Sequence, residues 1–230
     1  MPTDDPTLWR ERLSELKQGF GLRWVSHRIG EHELRVAEVR QVDRCVQALY
    51  PHCLVDHGDA PVWMISWPAA FALAEHLLLE VSVADRRVLE LGCGTAVVGV
   101  AAALGGARVT ATDYDGYALA VARQNARENG CASVQFGSLD WYDPPAGPRY
   151  DLVVGSEITY HDVAFEPLRS VLAATVAPGG RVFLSDIYRA QSGLFLQQCR
   201  AAGWKVTEHH RVVHLPRESR EVRIAELRAR

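Results

Sequence analysis

Between Arg87 and Asp113 the chain reads RVLELGCGTAVVGVAAALGGARVTATD. Gly92 and Gly94 follow an apolar stretch, Val88 to Leu91, so the backbone can turn sharply and a ligand can approach with no Cβ in the way. Glu90 stands just ahead of the turn, and Cys93, Thr95 and Ala96 complete it. Asp113 closes a second apolar stretch about 20 residues beyond Gly94, the separation at which a carboxylate meets the free diol of a ribose. The chemistry indicated is the binding of a nucleoside-bearing cofactor. A dinucleotide is disfavoured, because G-x-G-x-x-G needs a third glycine where Val97 stands, and the next glycine is Gly99.

Two groups downstream add to this. Leu139, Asp140 and Trp141 end a third expected strand, facing the same cleft if strand ends align. An adenine needs a flat partner and an acceptor for its amino group, which Trp141 and Asp140 supply; a tryptophan capping an apolar edge is the competing account. The segment DLVVGSEITYHD sets Ser156, Glu157 and Tyr160 where a fourth strand becomes loop. A carboxylate beside a ring suits a flexible ammonium. The proline-containing N/D/S-P-P-Y/F/W slot for a planar base is absent. The bland alternative makes Glu157 a surface acid and Tyr160 a ring packed on the following helix. Upstream, PVWMISWPAAFALAEHL puts Trp67 before Pro68, either bordering the cofactor or filling the core.

The elements that must position these residues follow from periodicity. A helix is expected at Thr7 to Gln18, then a hairpin of Leu22 to Ile29 and Glu33 to Val39 turning at Gly30. A short amphipathic piece, Val42 to Tyr50, precedes a loop broken by Pro51, Gly58 and Pro61, and a longer helix runs from Pro68 to Leu79. Strands are expected at Val88 to Leu91, Val109 to Asp113, Val134 to Leu139, Leu152 to Ser156 and Val182 to Asp186. Helices separate them at Val97 to Leu104, Tyr117 to Glu128 and Phe165 to Ala174, with another at Gly193 to Ala202. This alternation predicts a parallel sheet covered on both faces. Lys205 to Val213 and Glu221 to Leu227 have no helix between them and predict an antiparallel hairpin at one edge.

The chain has 230 residues, enough for one large α/β domain with an N-terminal addition, divided here as 1–60 and 61–230. A net charge of -3 offers no broad attraction to phosphate backbones, so a nucleic-acid partner is disfavoured and protein or small-molecule acceptors gain. The acidic start, MPTDDPTLWRERL, lacks the apolar core of a secretory signal. The uncharged run Leu91 to Ala107 falls short of the ~20 residues of a membrane span and is broken by glycines. Five scattered cysteines fit reduced thiols and a cytoplasmic location. His52, Cys53 and His57 lie near Cys45 but fit no metal-ligand spacing, and no metal is expected. Nothing in the sequence marks an oligomeric interface.

The pattern E-x-G-x-G-x-x-x-x-G followed by Asp113 resembles motif I and the acidic strand of the class I S-adenosylmethionine-dependent methyltransferases. Leu139-Asp140-Trp141 and Glu157-Ile158-Thr159-Tyr160 resemble the corresponding stations of methyltransferase family 16, which holds many protein-lysine methyltransferases. The resemblance covers 61–230. It implies a Rossmann-like, doubly wound, mostly parallel seven-stranded sheet with an antiparallel C-terminal edge strand, preceded by the helix and β-hairpin extension. It implies S-adenosylmethionine as cofactor, held by Trp67, Glu90, Gly92, Cys93, Gly94, Thr95, Asp113, Tyr114, Asp140, Trp141 and Ser156. Glu157 and Tyr160 are the expected catalytic pair, acting on the lysine side chain of a protein. A small-molecule acceptor and a non-catalytic cofactor-binding scaffold are the rival readings. Two departures stand out: the family's usual D-x-x-Y begins here with glutamate, and its usual glycine after the motif threonine is Ala96.

Overall fold

A computed structural model describes residues 6–55, 61–144, 146–215 and 218–229. The chain opens with helix α1 (Pro6–Gly19) and an antiparallel hairpin, β1 (Leu22–Ile29) and β2 (His32–Val39). Helices α2 (Val42–Leu49), α3 (His52–Val55) and α4 (Pro68–Glu80) follow, with a 3-10 turn at Val62–Met64 before α4. His57 and Gly58 lie outside the described residues. Pro68 starts α4 at a position where its missing N–H costs nothing.

Strand and helix then alternate, except that no helix among the described residues separates β5 from β6: β3 (Arg87–Leu91), α5 (Val97–Leu104), β4 (Arg108–Asp113), α6 (Gly116–Glu128), β5 (Gln135–Ser138), β6 (Tyr150–Ser156), α7 (Phe165–Thr175), β7 (Val176–Asp186) and α8 (Ala190–Ala201). The last elements are β8 (Lys205–Leu215) and β9 (Glu218–Arg228). The seven strands from β3 onward form one sheet in the order β5-β4-β3-β6-β7-β9-β8. Pairings among β3 to β7 are parallel, and β9 runs antiparallel to both of its neighbours. Central β3 is buried from Val88 to Leu91, which is why it reads as a continuous apolar run without alternation.

The expected hairpin forms at one edge, with β9 on the inside and β8 outermost. A buried ion pair holds that order, Arg223 donating from Nε to Asp186 Oδ2 (3.0 Å) and from Nη2 to Oδ1 (2.9 Å) across the β7–β9 seam. The strand expected at Val182 begins earlier, at Val176, which pairs with Tyr150 before a register shift leads to the Leu152–Arg181 pair. Pro178, which has no N–H to give, and Gly179 at φ +73° occupy the extra length.

Among the described residues the N-terminal hairpin joins no other strand, and side-chain amides on α6 take a strand's place beside it. Asn125, fully buried, accepts from Ala37 N–H through Oδ1 (2.7 Å) and donates through Nδ2 to the carbonyls of Ala37 (3.3 Å) and Thr95 (2.8 Å). One turn later Asn129 makes the same pair of contacts with Arg35, accepting at 2.9 Å and donating at 2.6 Å. Spacing of four on a helix thus matches spacing of two on a strand. Replacing Asn125 by leucine leaves buried amide and carbonyl groups unsatisfied, at a cost of about 3 kcal/mol. Urea denaturation is expected to show that loss for Asn125→Leu and a smaller one for the more exposed Asn129→Ala.

Candidate active site

The C-terminal ends of β3, β4, β5 and β6 open into a cleft of about 440 Å³, closed on one side by the stretch from Pro61 to Trp67. The residues expected to hold the cofactor and acceptor all line it, from Trp67, Glu90, Gly92, Cys93, Gly94 and Thr95 through Asp113, Tyr114, Asp140 and Trp141 to Ser156, Glu157 and Tyr160.

The turn after β3 holds three residues at positive φ: Gly92 (+57°), Gly94 (+52°) and Ala96 (+58°). A Cβ at Gly92 would lie 3.0 Å from Ile158 Cγ2 and 3.4 Å from the Trp141 ring, so the glycine is needed for space as well as conformation. Ala96 tolerates the left-handed geometry that a glycine would adopt freely, its amide donating to Cys93 O (2.6 Å). The last glycine of the pattern serves Glu90: Gly99 N–H donates to Glu90 Oε2 (3.0 Å), and a Cβ there would fall 2.4 Å from that oxygen. Burial pushes the Glu90 carboxyl up from 4.5 to about 8.

Asp113 accepts two backbone amides, Gly94 N–H at Oδ2 (2.9 Å) and Asp115 N–H at Oδ1 (3.0 Å). A carboxylate has about four acceptor sites, so a diol can still be bound. Burial raises its pKa from 3.8 to about 6 against the pull of those two bonds. Thr95 bonds Ser66 through its hydroxyl (2.9 Å), and Cys93 is buried, its thiol raised by desolvation.

At the expected adenine end, Trp141 is half-buried against Leu139, Ile158 and Gly92, so it packs on the core and presents a face to the cleft at once. Asp140 is exposed and accepts Tyr142 N–H (2.9 Å). Tyr114 is 74% exposed. Trp67 is held by its indole N–H on Val62 O (2.9 Å).

Glu157 is buried, at φ +54°, with both oxygens engaged: Ile187 N–H donates to Oε1 (3.0 Å) and Arg189 Nε to Oε2 (2.6 Å). Desolvation raises its pKa, and the arginine opposes that rise. It is therefore a compensated carboxylate rather than a surface acid. Tyr160 is half-buried, its ring edge-on to His161 at 4.5 Å.

Four participants, Asp115, Trp63, Tyr50 and Arg189, escaped the sequence reading. Asp115 caps α6, accepting Tyr117 N–H (2.7 Å), and also accepts Trp63 Nε1–H (3.0 Å) and the Tyr50 hydroxyl (2.6 Å). Trp63 packs over Gly94, and Arg189 stacks over Trp67 at 5.9 Å. An aspartate directly before Gly116 and a helical pattern was a readable capping signal. The partners Tyr50 and Trp63 carried none.

Residues 56–199 match the family model described as lysine methyltransferase, methyltransferase family 16. The chain belongs to that family. EEF1A lysine methyltransferase 3 of Mus musculus is 35% identical over 136 residues, covering 55% of this chain and 56% of that protein. Ribosomal protein L11 methyltransferase of Stenotrophomonas maltophilia is 32% identical over 200 residues, covering 85% and 60%. The matches thus span 56% and 60% of these relatives' lengths. Magnesium protoporphyrin IX methyltransferase of Synechocystis, solved with bound S-adenosylmethionine, shares the fold at a TM-score of 0.58 and 15% identity, covering 82% of this chain and 95% of its own.

The cofactor of the family 16 site is S-adenosylmethionine, and the residues fit it. Gly92 leaves a cradle that a Cβ would fill, and Ser156 Oγ is buried at the cleft with no hydrogen-bond partner among the described residues. The lining carries carboxylates and no lysine or arginine, which suits a cationic cofactor and not a pyrophosphate. No helix among the described residues is long and apolar enough to cross a membrane.

The raised carboxyls make binding pH-dependent. The folded protein holds the Glu90 proton more tightly than the unfolded chain does, so Glu90 lowers stability as pH rises from about 4.5 to about 8. A bound cation favours ionised carboxylates, so S-adenosylmethionine binding releases protons, and affinity should rise through about pH 6 to 8. Calorimetry in buffers of different ionisation enthalpy is expected to detect that release, with Glu90→Gln flattening the upper part of the rise.

Proposed function

We propose that the protein is an S-adenosylmethionine-dependent protein-lysine N-methyltransferase. The observation that carries this reading is one cleft with two unlike ends: a glycine turn with Asp113 for a nucleoside, and Glu157 with Tyr160 for an ammonium-bearing side chain. The family description and the mouse relative support lysine, and the L11 relative supports a protein acceptor. A lining without cations disfavours nucleic acid. Five cysteines free of disulfides support a reducing compartment, the cytoplasm.

Asp113 would hold the ribose; Tyr114, Asp140 and Trp141 would border the adenine; Glu90, Gly92, Cys93, Gly94, Thr95, Ser156 and Trp67 would hold the methionine part. The bound cofactor supplies a methyl group already activated on a positively charged sulfur. What remains for the chain is alignment of a nucleophile and removal of its proton. A lysine ammonium, with a reference pKa of about 10.4, is recruited by the acceptor sites left on Glu157 and oriented along the Tyr160 ring. The Arg189 guanidinium offsets the carboxylate and disfavours a second cation beside it, so the ammonium proton passes to water at the cleft mouth. Neutral and aligned, the amine would then be positioned to accept that methyl group.

Asp113→Ala is expected to weaken S-adenosylmethionine binding by at least about tenfold, which is ~1.4 kcal/mol. Glu157→Ala is expected to keep the cofactor and slow transfer by about 10²-fold through lost alignment. Isothermal titration and single-turnover labelling separate the two, and full turnover by Glu157→Ala would remove that residue from the mechanism. The acceptor class is tested with radiolabelled S-adenosylmethionine and a lysate of the source cells, followed by separate protease and nuclease digestion. Label in a protease-sensitive band is expected. Label confined to small molecules would instead identify a small-molecule enzyme, and tight binding with no label a scaffold.

A further inference from the structure

The cleft's outer rim carries a charge pattern that methyl transfer by itself does not require. The stretches that line the cleft, 61–67, 90–98, 113–114, 139–142 and 156–164, contain no lysine or arginine, in a chain with 25 of them. Beside Tyr160, two of these loops are joined where the Tyr142 hydroxyl donates to Val163 O (3.4 Å). Tyr142 is 67% and Val163 73% exposed, so both side chains face solvent at the acceptor end. Asp143 and Asp162, next in the chain to Tyr142 and Val163, are exposed, as is Glu166 in the first turn of α7. The guanidinium of Arg189 is committed to Glu157.

We propose that this rim docks a basic, extended segment of a protein partner, with an apolar side chain resting on Tyr142 and Val163 and cationic residues facing Asp143, Asp162 and Glu166. The identity of the docked segment's central residue as lysine rests on the methyl-transfer reading above. Each exposed ion pair contributes little, but three carboxylates close in the chain to Tyr142 and Val163 act in the same sense. They steer a cationic segment to the cleft, repel an acidic one, and weaken together as salt rises.

The test uses the full chain saturated with S-adenosylhomocysteine and two short fluorescein-labelled peptides. Each has a lysine beside a leucine, flanked in one by arginines and in the other by glutamates. Fluorescence anisotropy at low salt is expected to show the arginine peptide binding at least about tenfold tighter, with the gap closing near 0.5 M salt as the Debye length falls to a few ångströms. Asp162→Lys with Glu166→Lys should weaken the arginine peptide by about fivefold or more and tighten the glutamate peptide, while S-adenosylmethionine affinity stays unchanged. If the double variant fails to fold, Asp143→Lys alone carries the same direction of change. Equal affinities for the two peptides, or an affinity that these variants do not move, overturns the proposal. If the arginine peptide binds selectively but accepts no methyl group, the transfer reading fails and the docking surface stands. Methylation of both peptides with one KM has the reverse meaning.

Discussion

The cleft is organised by two buried carboxylates two residues apart, Asp113 and Asp115, at the point where β4 gives way to α6. Burying an anion is costly unless hydrogen bonds replace its water, and here the replacements come from the glycine turn, the start of α6 and the N-terminal covering. Asp113 takes the amide of Gly94 and so fixes the glycine turn against the neighbouring strand. Asp115 takes the first amides of α6, where the helix dipole also favours a negative charge. Its second oxygen takes Tyr50 and Trp63, which draws α2 and the 61–67 stretch over the turn. Sheet, helix and N-terminal covering therefore meet within three residues, and displacing either acid disturbs all three.

A similar economy links the N-terminal hairpin to the cofactor turn. The carboxamide of Asn125 touches Ala37 on β2 and Thr95 on the turn, so β2 and the turn share a single buried group. Glu38, on the same strand, accepts Ser66 N–H (2.8 Å), and Ser66 reaches Thr95. The additional elements ahead of the sheet thus help to shape the cleft wall.

What could be read from the sequence was whatever is local. Alternating strand and helix, the glycine turn, Asp113 and the stations at Asp140 and Glu157 are fixed by neighbours a few residues away, and they appear where periodicity put them. The inner position of β9 was not legible, because it depends on Arg223 meeting Asp186 across the sheet. Tyr50, Trp63 and Asn125 were invisible for the same reason: each matters through a partner 30 to 88 residues distant. Trp141 posed a choice between packing and ligand that sequence left open, and the ring does border both core and cleft.

Glu157 shows how one such distant partner alters chemistry. Read alone, a glutamate in place of the family's usual aspartate is an acid with a longer arm. In the fold that arm has a destination, the Ile187 amide and the Arg189 guanidinium on the loop after β7. An aspartate on the same Cα would end about 1.5 Å short, one C–C bond, which stretches a 2.6 Å contact beyond hydrogen-bonding range unless the loop moves. The longer side chain therefore goes together with a carboxylate whose charge is balanced before any acceptor arrives. On the proposed lysine reading, a bare carboxylate would hold the acceptor in its ammonium form, which cannot attack, whereas a carboxylate already paired with arginine would keep the geometry of recruitment and hold the proton less firmly.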